Sequence, residues 1–132
     1  MFQTLTVRTK GRTEFLDLTS QIQAALQESG VREGLCHLFV PHTTAAVTIN
    51  ENAEPSVKAD ILMVLNKLIS DHEPYRHLEG NSPAHIKASL IGPQLTLMVS
   101  GGRLVLGTWQ GIYFCEFDGP RTRRLHLKIV AD

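Results

Sequence analysis

Apolar and polar positions alternate along much of the chain, a pattern typical of strands that bury one face. Residues 2–9 and 13–18 alternate on either side of a short polar turn, and together they predict an opening β-hairpin. Residues 34–42 have apolar side chains on both faces, which predicts a strand buried on both sides. Residues 45–50 predict the next strand. Much of the N-terminal part is therefore predicted to be sheet.

The C-terminal part of the chain predicts further strands and no helix. Residues 94–99 alternate, and the Gly-Gly pair that follows Ser100 is typical of a hairpin turn. Residues 103–118 have the composition of one long strand, interrupted at Gly107 and Gly111. A turn then leads into a last alternating strand.

Helical spacing occurs in segments between these strands. The first helix is placed to end at Gly30, the longest begins near Pro55, and a short one runs from Pro83 to about Leu90. This order of elements predicts a single α+β domain over residues 1–132, with mostly antiparallel mixed sheets packed with about three helices. Two helices cannot cover all the apolar strand faces. We therefore expect the sheets to pack on each other, on another subunit, or both.

Composition narrows the class of protein. The apolar fraction of 42% and the charged fraction of 20% are ordinary for a soluble globular protein. Thirteen basic and thirteen acidic residues cancel, which favours neither a nucleic-acid nor a membrane partner and removes one barrier to self-association. Cys36 and Cys115 have no Cys-x-x-Cys spacing, and no signal peptide opens the chain. These features predict a cytoplasmic protein with reduced thiols.

The segment 71–85 is a candidate functional loop, because it holds three of the six histidines and joins two regular elements. Its end predicts a helix with Ser82 as N-cap. Such a start leaves the N–H groups of Ala84 and His85 unpaired at the positive end of the helix dipole, where phosphate is favoured, with Lys87 just beyond. The alternative is an ordinary capped helix that follows a solvated loop.

Polar residues elsewhere complete a dispersed set of candidates. Asp60 is either a solvent-facing acid or a buried partner for a histidine. The set comprises His42, Glu51, Asp60, His77, Asn81, His85, Gln110, Asp118 and Arg121. Three histidines with an open fourth position suit a divalent metal such as zinc, whereas histidines with carboxylates beside an anion pocket suit acid–base chemistry on a phosphorylated substrate. The spacing does not separate these two alternatives.

Two arginines lie on the apolar face of the last strand. A guanidinium at Arg121 or Arg123 should be paired, with Asp118 or Glu116, or pointed at a ligand, because a lone buried charge is costly. The basic run 121–124 also permits nucleic-acid binding, but a neutral protein without an aromatic platform makes that function a poor candidate.

Several short motifs resemble the YjbQ-like family, described as secondary thiamine-phosphate synthases of uncharacterised primary function. The matching residues are His42-Thr43-Thr44-Ala45, Asn50-Glu51-Asn52, Asp60, Gly80-Asn81 with Ala84-His85, Gly107-Thr108-Trp109-Gln110, and Asp118-Gly119-Pro120-Arg121 with Arg123. They fall between residues 37 and 130, and the Gly-Thr-Trp-Gln segment is the most specific of them. Gln94 stands where the family pattern has a small hydroxyl residue.

The resemblance implies an α+β homotrimer with a polar pocket near a subunit interface. It also implies a weak ability to join a pyrimidine pyrophosphate to a thiazole phosphate with release of pyrophosphate, the primary role being open. On this hypothesis the catalytic residues are His42, Glu51, Asp60 and His85, and the substrate-binding residues are Asn81, Ala84, Lys87, Trp109, Gln110, Asp118 and Arg121. A divalent metal, zinc or magnesium, would be bound by His42, His77 and His85. The alternative is a non-catalytic trimer that binds a metal or a phosphorylated metabolite through those histidines.

Overall fold

The computed structural model describes residues 1–132 and contains eight strands and three helices. In chain order the elements are β1 (Phe2–Arg8), β2 (Glu14–Asp17), α1 (Thr19–Ser29), β3 (Gly34–Phe39), β4 (Ala45–Glu51), α2 (Pro55–Leu68), α3 (Ser82–Ile91), β5 (Gln94–Ser100), β6 (Arg103–Leu104), β7 (Gln110–Glu116) and β8 (Thr122–Ala131). The expected α+β class is confirmed.

Two antiparallel sheets form the body of the molecule. The five-stranded sheet has the order β1-β8-β3-β5-β6 and is called the outer sheet below. The three-stranded sheet has the order β2-β7-β4 and is called the inner sheet. Hydrophobic clusters lie on both faces of the inner sheet, and α2 and α3 cover the face that is turned away from the outer sheet. The layers are therefore the outer sheet, the inner sheet, and the pair of helices α2 and α3, while α1 packs against the core between the two sheets.

Strand β7 contributes side chains to both hydrophobic cores, the one between the sheets and the one beneath the helices. All residues from Gly111 to Phe117 are buried. Ile112 and Phe114 enter the core between the two sheets, whereas Tyr113 and Cys115 enter the core beneath the helices. Because neighbouring side chains point to opposite faces, a strand at the centre of three layers must be apolar at nearly every position.

Two predictions about the strands are wrong. The opening hairpin does not form, because β1 pairs with β8 and β2 pairs with β7. The turn between β1 and β2 thus carries the chain from the outer sheet to the inner one. The predicted long strand 103–118 is also wrong, since β6 belongs to the outer sheet and β7 to the inner sheet. The glycines at positions 107 and 111 flank the crossing. The hairpin at Gly101 is confirmed, with β5 paired to β6.

Strand β3 is buried on one face only within the protomer. Cys36 and Leu38 are buried, but the side chains of Leu35 and Phe39 are 38% and 47% exposed. Other apolar residues share this exposed side of the outer sheet, called the outer face below: Phe2, Met98 and Val130. The sequence therefore has more apolar strand surface than the protomer buries.

Candidate functional site

The largest cleft lies where β3 ends, α3 begins and the turn from β7 reaches β8. Its volume is about 660 Å³, and its lining is mostly polar. The polar lining residues are His42, Thr43, Thr44, His77, Glu79, Asn81, His85, Asp118, Arg121 and Arg123. The structure therefore brings together six residues proposed from sequence, which were dispersed over three separate segments of the chain: His42, His77, Asn81, His85, Asp118 and Arg121.

His42 is held in one tautomer. Its Nε2 accepts a hydrogen bond of 2.9 Å from the backbone N–H of Arg124. Because that N–H can only donate, Nε2 carries no proton, and a neutral ring has its proton on Nδ1. Burial lowers the pKa of His42, and the charges of Arg123, Arg124 and Arg121 lower it further, against a smaller opposing effect of Glu116. His42 is therefore a neutral hydrogen-bond donor near pH 7.

His77 and His85 also line the cleft. Their rings pack edge to face with centroids 5.4 Å apart. His85 lies in the first turn of α3, while His77 lies in the loop before it and is exposed. Neither ring is hydrogen-bonded to the rest of the protein, so both are available to a ligand.

Asp118 joins α3 to the β7–β8 turn. One of its oxygens, Oδ2, accepts from Asn81 Nδ2 at 2.8 Å and from Arg121 Nη2 at 3.2 Å. Arg121 Nε also donates to the Asp118 carbonyl at 2.9 Å. The amide orientation of Asn81 follows from these contacts, since its nitrogen must face the carboxylate. Its Oδ1 is then buried and is the chain's one buried side-chain oxygen or nitrogen without a partner.

A buried ion pair lies at the base of the cleft. Arg123 Nε donates to Glu116 Oε1 at 2.9 Å, and its Nη2 donates to Glu116 Oε2 at 2.5 Å. Burial alone raises the pKa of Glu116, but hydrogen bonds from Arg123, Thr9 and the Asp118 N–H, together with the Arg123 charge, outweigh burial and lower it. The pairing predicted for both arginines is confirmed.

The turn that carries Asp118 depends on a close backbone approach. A Cβ at Gly119 would lie 2.4 Å from the carbonyl oxygen of Gly11, so only glycine fits there. This contact places the β1–β2 crossing against the β7–β8 turn. It also brings Thr9 Oγ1 within 2.7 Å of Glu116 Oε1.

Other proposed site residues lie outside the cleft. Glu51 and Gln110 are paired in register at the far end of the inner sheet, roughly 20 Å along β4 at about 3.3 Å per residue. Trp109 is 63% exposed in the adjoining turn. Asp60 is exposed on α2, so the interpretation of a solvent-facing acid fits. A single protomer does not bring these residues into the cleft, and their proposed roles stay predictions.

Two further residues of the set are engaged elsewhere. Ala84 is buried in the core beneath the helices. Lys87 is 4% exposed, and its Nζ donates to Asn66 Oδ1 at 2.5 Å. Burial lowers the pKa of this lysine. Lys87 faces α2 rather than the cleft, because the α3 face that carries it packs inward.

The predicted anion site at the start of α3 is wrong in its details. The N-cap is Asn81 rather than Ser82. The backbone carbonyl of Asn81 accepts from the N–H groups of Ala84 and His85, at 3.0 Å and 3.4 Å, so these groups are not free. Pro83 has no N–H to offer. The N–H groups of Ala84 and His85 therefore do not provide the predicted anion site.

Sequence reasoning did not include Arg123, Thr44 or Glu79 among the site residues. For Arg123 a signal existed, because a charge on an otherwise apolar strand face needs a partner or a ligand. For Thr44 a signal also existed, because it belongs to the motif His42-Thr43-Thr44-Ala45. No local pattern marks Glu79 as a site residue.

A metal ion would require several donor side chains that converge on one point. No group of three or more His, Cys, Asp or Glu side chains is arranged for a metal ion. His42 Nε2 is occupied by the Arg124 N–H. A three-histidine site therefore does not fit the protomer as it stands, and metal binding stays a prediction. No helix has the length and apolar character needed to cross a membrane.

Comparison with known proteins agrees with the fold. The family described as "UPF0047 protein YjbQ-like" matches residues 3–132. The chain belongs to the YjbQ-like family. It is 50% identical to the UPF0047 protein YugU of Bacillus subtilis, over 99% of this chain and 100% of that one. It is 52% identical to the UPF0047 protein MJ1081 of Methanocaldococcus jannaschii, over 96% of this chain and 91% of that one.

Solved structures of the YjbQ-like family have the same fold. A crystal structure of a family member from Clostridium acetobutylicum matches with a TM-score of 0.95 at 49% identity, covering 97% of this chain and 99% of that one. A protein of unknown function from Sulfolobus solfataricus matches with a TM-score of 0.95 at 33% identity, covering 100% of this chain and 97% of that one. The family is uncharacterised, so the site itself must supply the functional hypothesis.

Proposed function

We propose that the chain is a cytoplasmic enzyme whose cleft binds a phosphorylated small molecule. The proposed reaction is that of a thiamine-phosphate synthase, a transferase that joins a pyrimidine pyrophosphate to a thiazole phosphate. The observation that supports it best is the convergence of His42, His85, Asn81 and Arg121 in one polar cleft. Its volume of about 660 Å³ lies within the usual range for small-molecule sites.

The chemistry makes specific demands on the cleft. The thiazole nitrogen donates its electron pair to the pyrimidine methylene carbon as the bond from that carbon to a pyrophosphate oxygen breaks. Pyrophosphate leaves with the electron pair, so the site must hold growing negative charge and align two substrates. No proton has to move in the bond-forming step. Proton donation only makes pyrophosphate a better leaving group.

The two histidines would divide these tasks. His42 has its free proton on Nδ1, and it would donate a hydrogen bond to a phosphate oxygen. His85 is free at both ring nitrogens, and it would supply a proton to the leaving pyrophosphate. Arg121, which is half exposed, would contact the outer oxygens.

The reaction can be assayed directly. Purified protein is incubated with the pyrimidine pyrophosphate and the thiazole phosphate, and formation of thiamine phosphate is measured. His85→Ala should lower the rate about 100-fold or more, the usual contribution of a general acid. His72→Ala is the matched control, because His72 is exposed and does not line the cleft. Equal rates for the two variants would contradict the assignment of His85.

The non-catalytic alternative also has an observation in its favour. Glu51 and Asp60, two of the four residues proposed to be catalytic, lie outside the cleft. A protein that only binds would retain affinity for the pyrimidine pyrophosphate and never release pyrophosphate from it. Pyrophosphate release measured at saturating concentrations of both substrates therefore distinguishes an enzyme from a binding protein.

We also propose that three copies assemble through the outer face. Phe39 belongs to this face and also lines the cleft, so assembly there would place the cleft at a subunit interface. Met98→Asp should convert a trimer into monomers in light scattering. Met63→Asp on α2 is the control, since Met63 and Met98 are similarly exposed at 61% and 63%. A Met98→Asp protein that stays trimeric would contradict the proposed interface.

Metal binding by His42, His77 and His85 is a separate proposal, because assembly could bring ligands from a second copy. The metal content of the purified protein tests it. One equivalent of zinc or magnesium per chain, lost in the alanine variants of all three histidines, would support the proposal. A metal-free trimer would contradict it and favour the anion-binding role.

A further inference from the structure

Arg123 occupies an unusual position for a charged side chain. It is 3% exposed and lies on the face of β8 that continues into Leu125 and Leu127, both fully buried. A lone guanidinium there would lose its hydration without compensation, which strongly disfavours an unpaired charge. Glu116, which is 0% exposed, provides the compensating charge. The pair alone explains why the arginine is tolerated, but not why it is directed at the cleft.

The hydrogen bonds of Arg123 involve only part of its guanidinium. The group has five N–H donors, one on Nε and two on each terminal nitrogen. Nε donates to Glu116, while Nη2 donates to Glu116 and to Thr44 Oγ1 at 2.8 Å. Nη1 has no partner in the protein. It is not fully buried, since the only fully buried unpaired atom is Asn81 Oδ1, and the cleft is the open space that Arg123 lines.

Glu116 and Thr44, which accept from Nε and Nη2, hold the guanidinium and so fix the position of the free nitrogen Nη1. Glu116 accepts two of the donors, and it is itself held by Thr9 Oγ1 at 2.7 Å and by the Asp118 N–H at 3.1 Å. Thr44 accepts through both its hydroxyl and its carbonyl. A donor immobilised in this way binds a ligand oxygen with little further loss of side-chain entropy.

Net charge gives this cleft no preference for an anion. The charged side chains of its lining are Arg121 and Arg123 against Glu79 and Asp118, so they cancel. Selectivity for an anion must then come from directed donors. Nη1 supplies two N–H groups at the base of the cleft, and the Nδ1–H of His42 is a further donor in the same lining.

We propose that Arg123 is the oxyanion-binding residue of the cleft, with Nη1 donating to oxygens of the ligand's phosphate or pyrophosphate group while Glu116 and Thr44 hold the guanidinium in position. This inference rests on the proposed function in that it assigns the same cleft a phosphorylated ligand. It holds equally for an enzyme and for a binding protein. Arg121 has the subordinate role, since it is 51% exposed and already engaged with Asp118.

Nitrogen-15 NMR of the arginine side chains tests the proposal on the unmodified protein. Inorganic pyrophosphate is titrated in, and the Arg123 signal, assigned by its absence from an Arg123→Lys variant, should move and saturate together with binding. Binding of pyrophosphate without movement of that signal would overturn the role of Arg123 and leave the proposed function standing. Failure of pyrophosphate to bind at all would overturn both.

Conservative substitutions supply the quantitative test. Arg123→Lys keeps a cation beside Glu116 but lacks the second terminal nitrogen, and pyrophosphate affinity measured by calorimetry should fall about tenfold or more. Arg124→Lys is the matched control, because Arg124 is exposed and does not line the cleft, and its pyrophosphate affinity should be unchanged. Equal losses in the two variants would contradict the proposal. If Arg123→Lys does not fold, the double variant E116Q/R123Q removes both charges together and should show the same loss of affinity.

Discussion

Two arginine–carboxylate pairs lie two residues apart in this protein and differ in almost every physical respect. Arg123 and Glu116 are 3% and 0% exposed, and they share several hydrogen bonds with Thr9 and Thr44. Arg121 and Asp118 are 51% and 22% exposed and meet through one contact of 3.2 Å between side chains. An arginine–carboxylate pair is therefore fixed and buried in one case and solvent-exposed at the edge of the cleft in the other. Each substitution proposed below affects one pair more than the other.

The largest effect is expected from breaking the buried pair. Glu116→Ala leaves Arg123 charged and without its main partner, which costs about 3–5 kcal/mol in comparable buried pairs. Chemical denaturation measures the change in the free energy of unfolding. A loss below about 1 kcal/mol would show that water reaches the Arg123 site and that the pair is not truly buried.

A smaller effect is expected from acid. The pKa of Glu116 is lower folded than unfolded, so its stabilisation is complete above its ordinary value of 4.5 and is lost as the pH falls through the folded value. His42 adds to this trend, since its lowered pKa makes the folded state less favourable once the pH falls below the ordinary value of 6.5. Unfolding measured from pH 7 to pH 3 should show declining stability.

The acid dependence can be assigned to its groups by substitution. Glu116→Gln should flatten the dependence below the ordinary glutamate pKa of 4.5, whereas His42→Gln should flatten the part that begins below the ordinary histidine pKa of 6.5. A Glu116→Gln protein with the same pH profile as the unmodified protein would contradict the assignment to Glu116.

Removal of a single neutral donor to the buried pair should have a still smaller effect. Thr9→Val deletes the hydroxyl that donates to Glu116 Oε1 at 2.7 Å and keeps the side-chain shape. A hydrogen bond to a charged group contributes about 1.5–3 kcal/mol. Thermal unfolding of this variant should show a loss in that range. An unchanged midpoint would mean that another donor replaces the hydroxyl.

The smallest effect is expected at the exposed pair. Arg121→Ala should change the free energy of unfolding by about 1 kcal/mol or less, because solvent screens the contact with Asp118 and competes for both groups. The same denaturation experiment measures it. A loss as large as that of Glu116→Ala would remove the distinction between the two pairs.

Local patterns in the sequence were sufficient to predict the helices and most strands. They were not sufficient to predict which strands pair with each other. The end of α1 at Gly30 and the turn at Gly101 follow from glycine in left-handed conformations, which are local requirements. The pairing of β1 with β8 joins opposite ends of the chain, and no local signal encodes it. The same limit explains the predicted strand 103–118, whose two halves belong to different sheets.

For the site, spacing suggested residue types but not their convergence. His42, His85 and Asp118 were selected through polarity and family resemblance, and the fold brings them into one cleft. Lys87 was selected by its position after a helix start, yet the packing of α3 turns it towards Asn66. Arg123 could have been included, because a charge among inward-facing residues needs a partner or a ligand. The extent of its pairing was visible only in three dimensions.

A crystal structure grown with pyrophosphate tests the central claim most directly, because it shows both where the anion binds and what holds it. The account predicts density for the anion in the cleft, with one oxygen within hydrogen-bond distance of Arg123 Nη1 and another facing His42 Nδ1. Pyrophosphate bound elsewhere, or held only by the exposed Arg121 without contact to Arg123, would contradict the account.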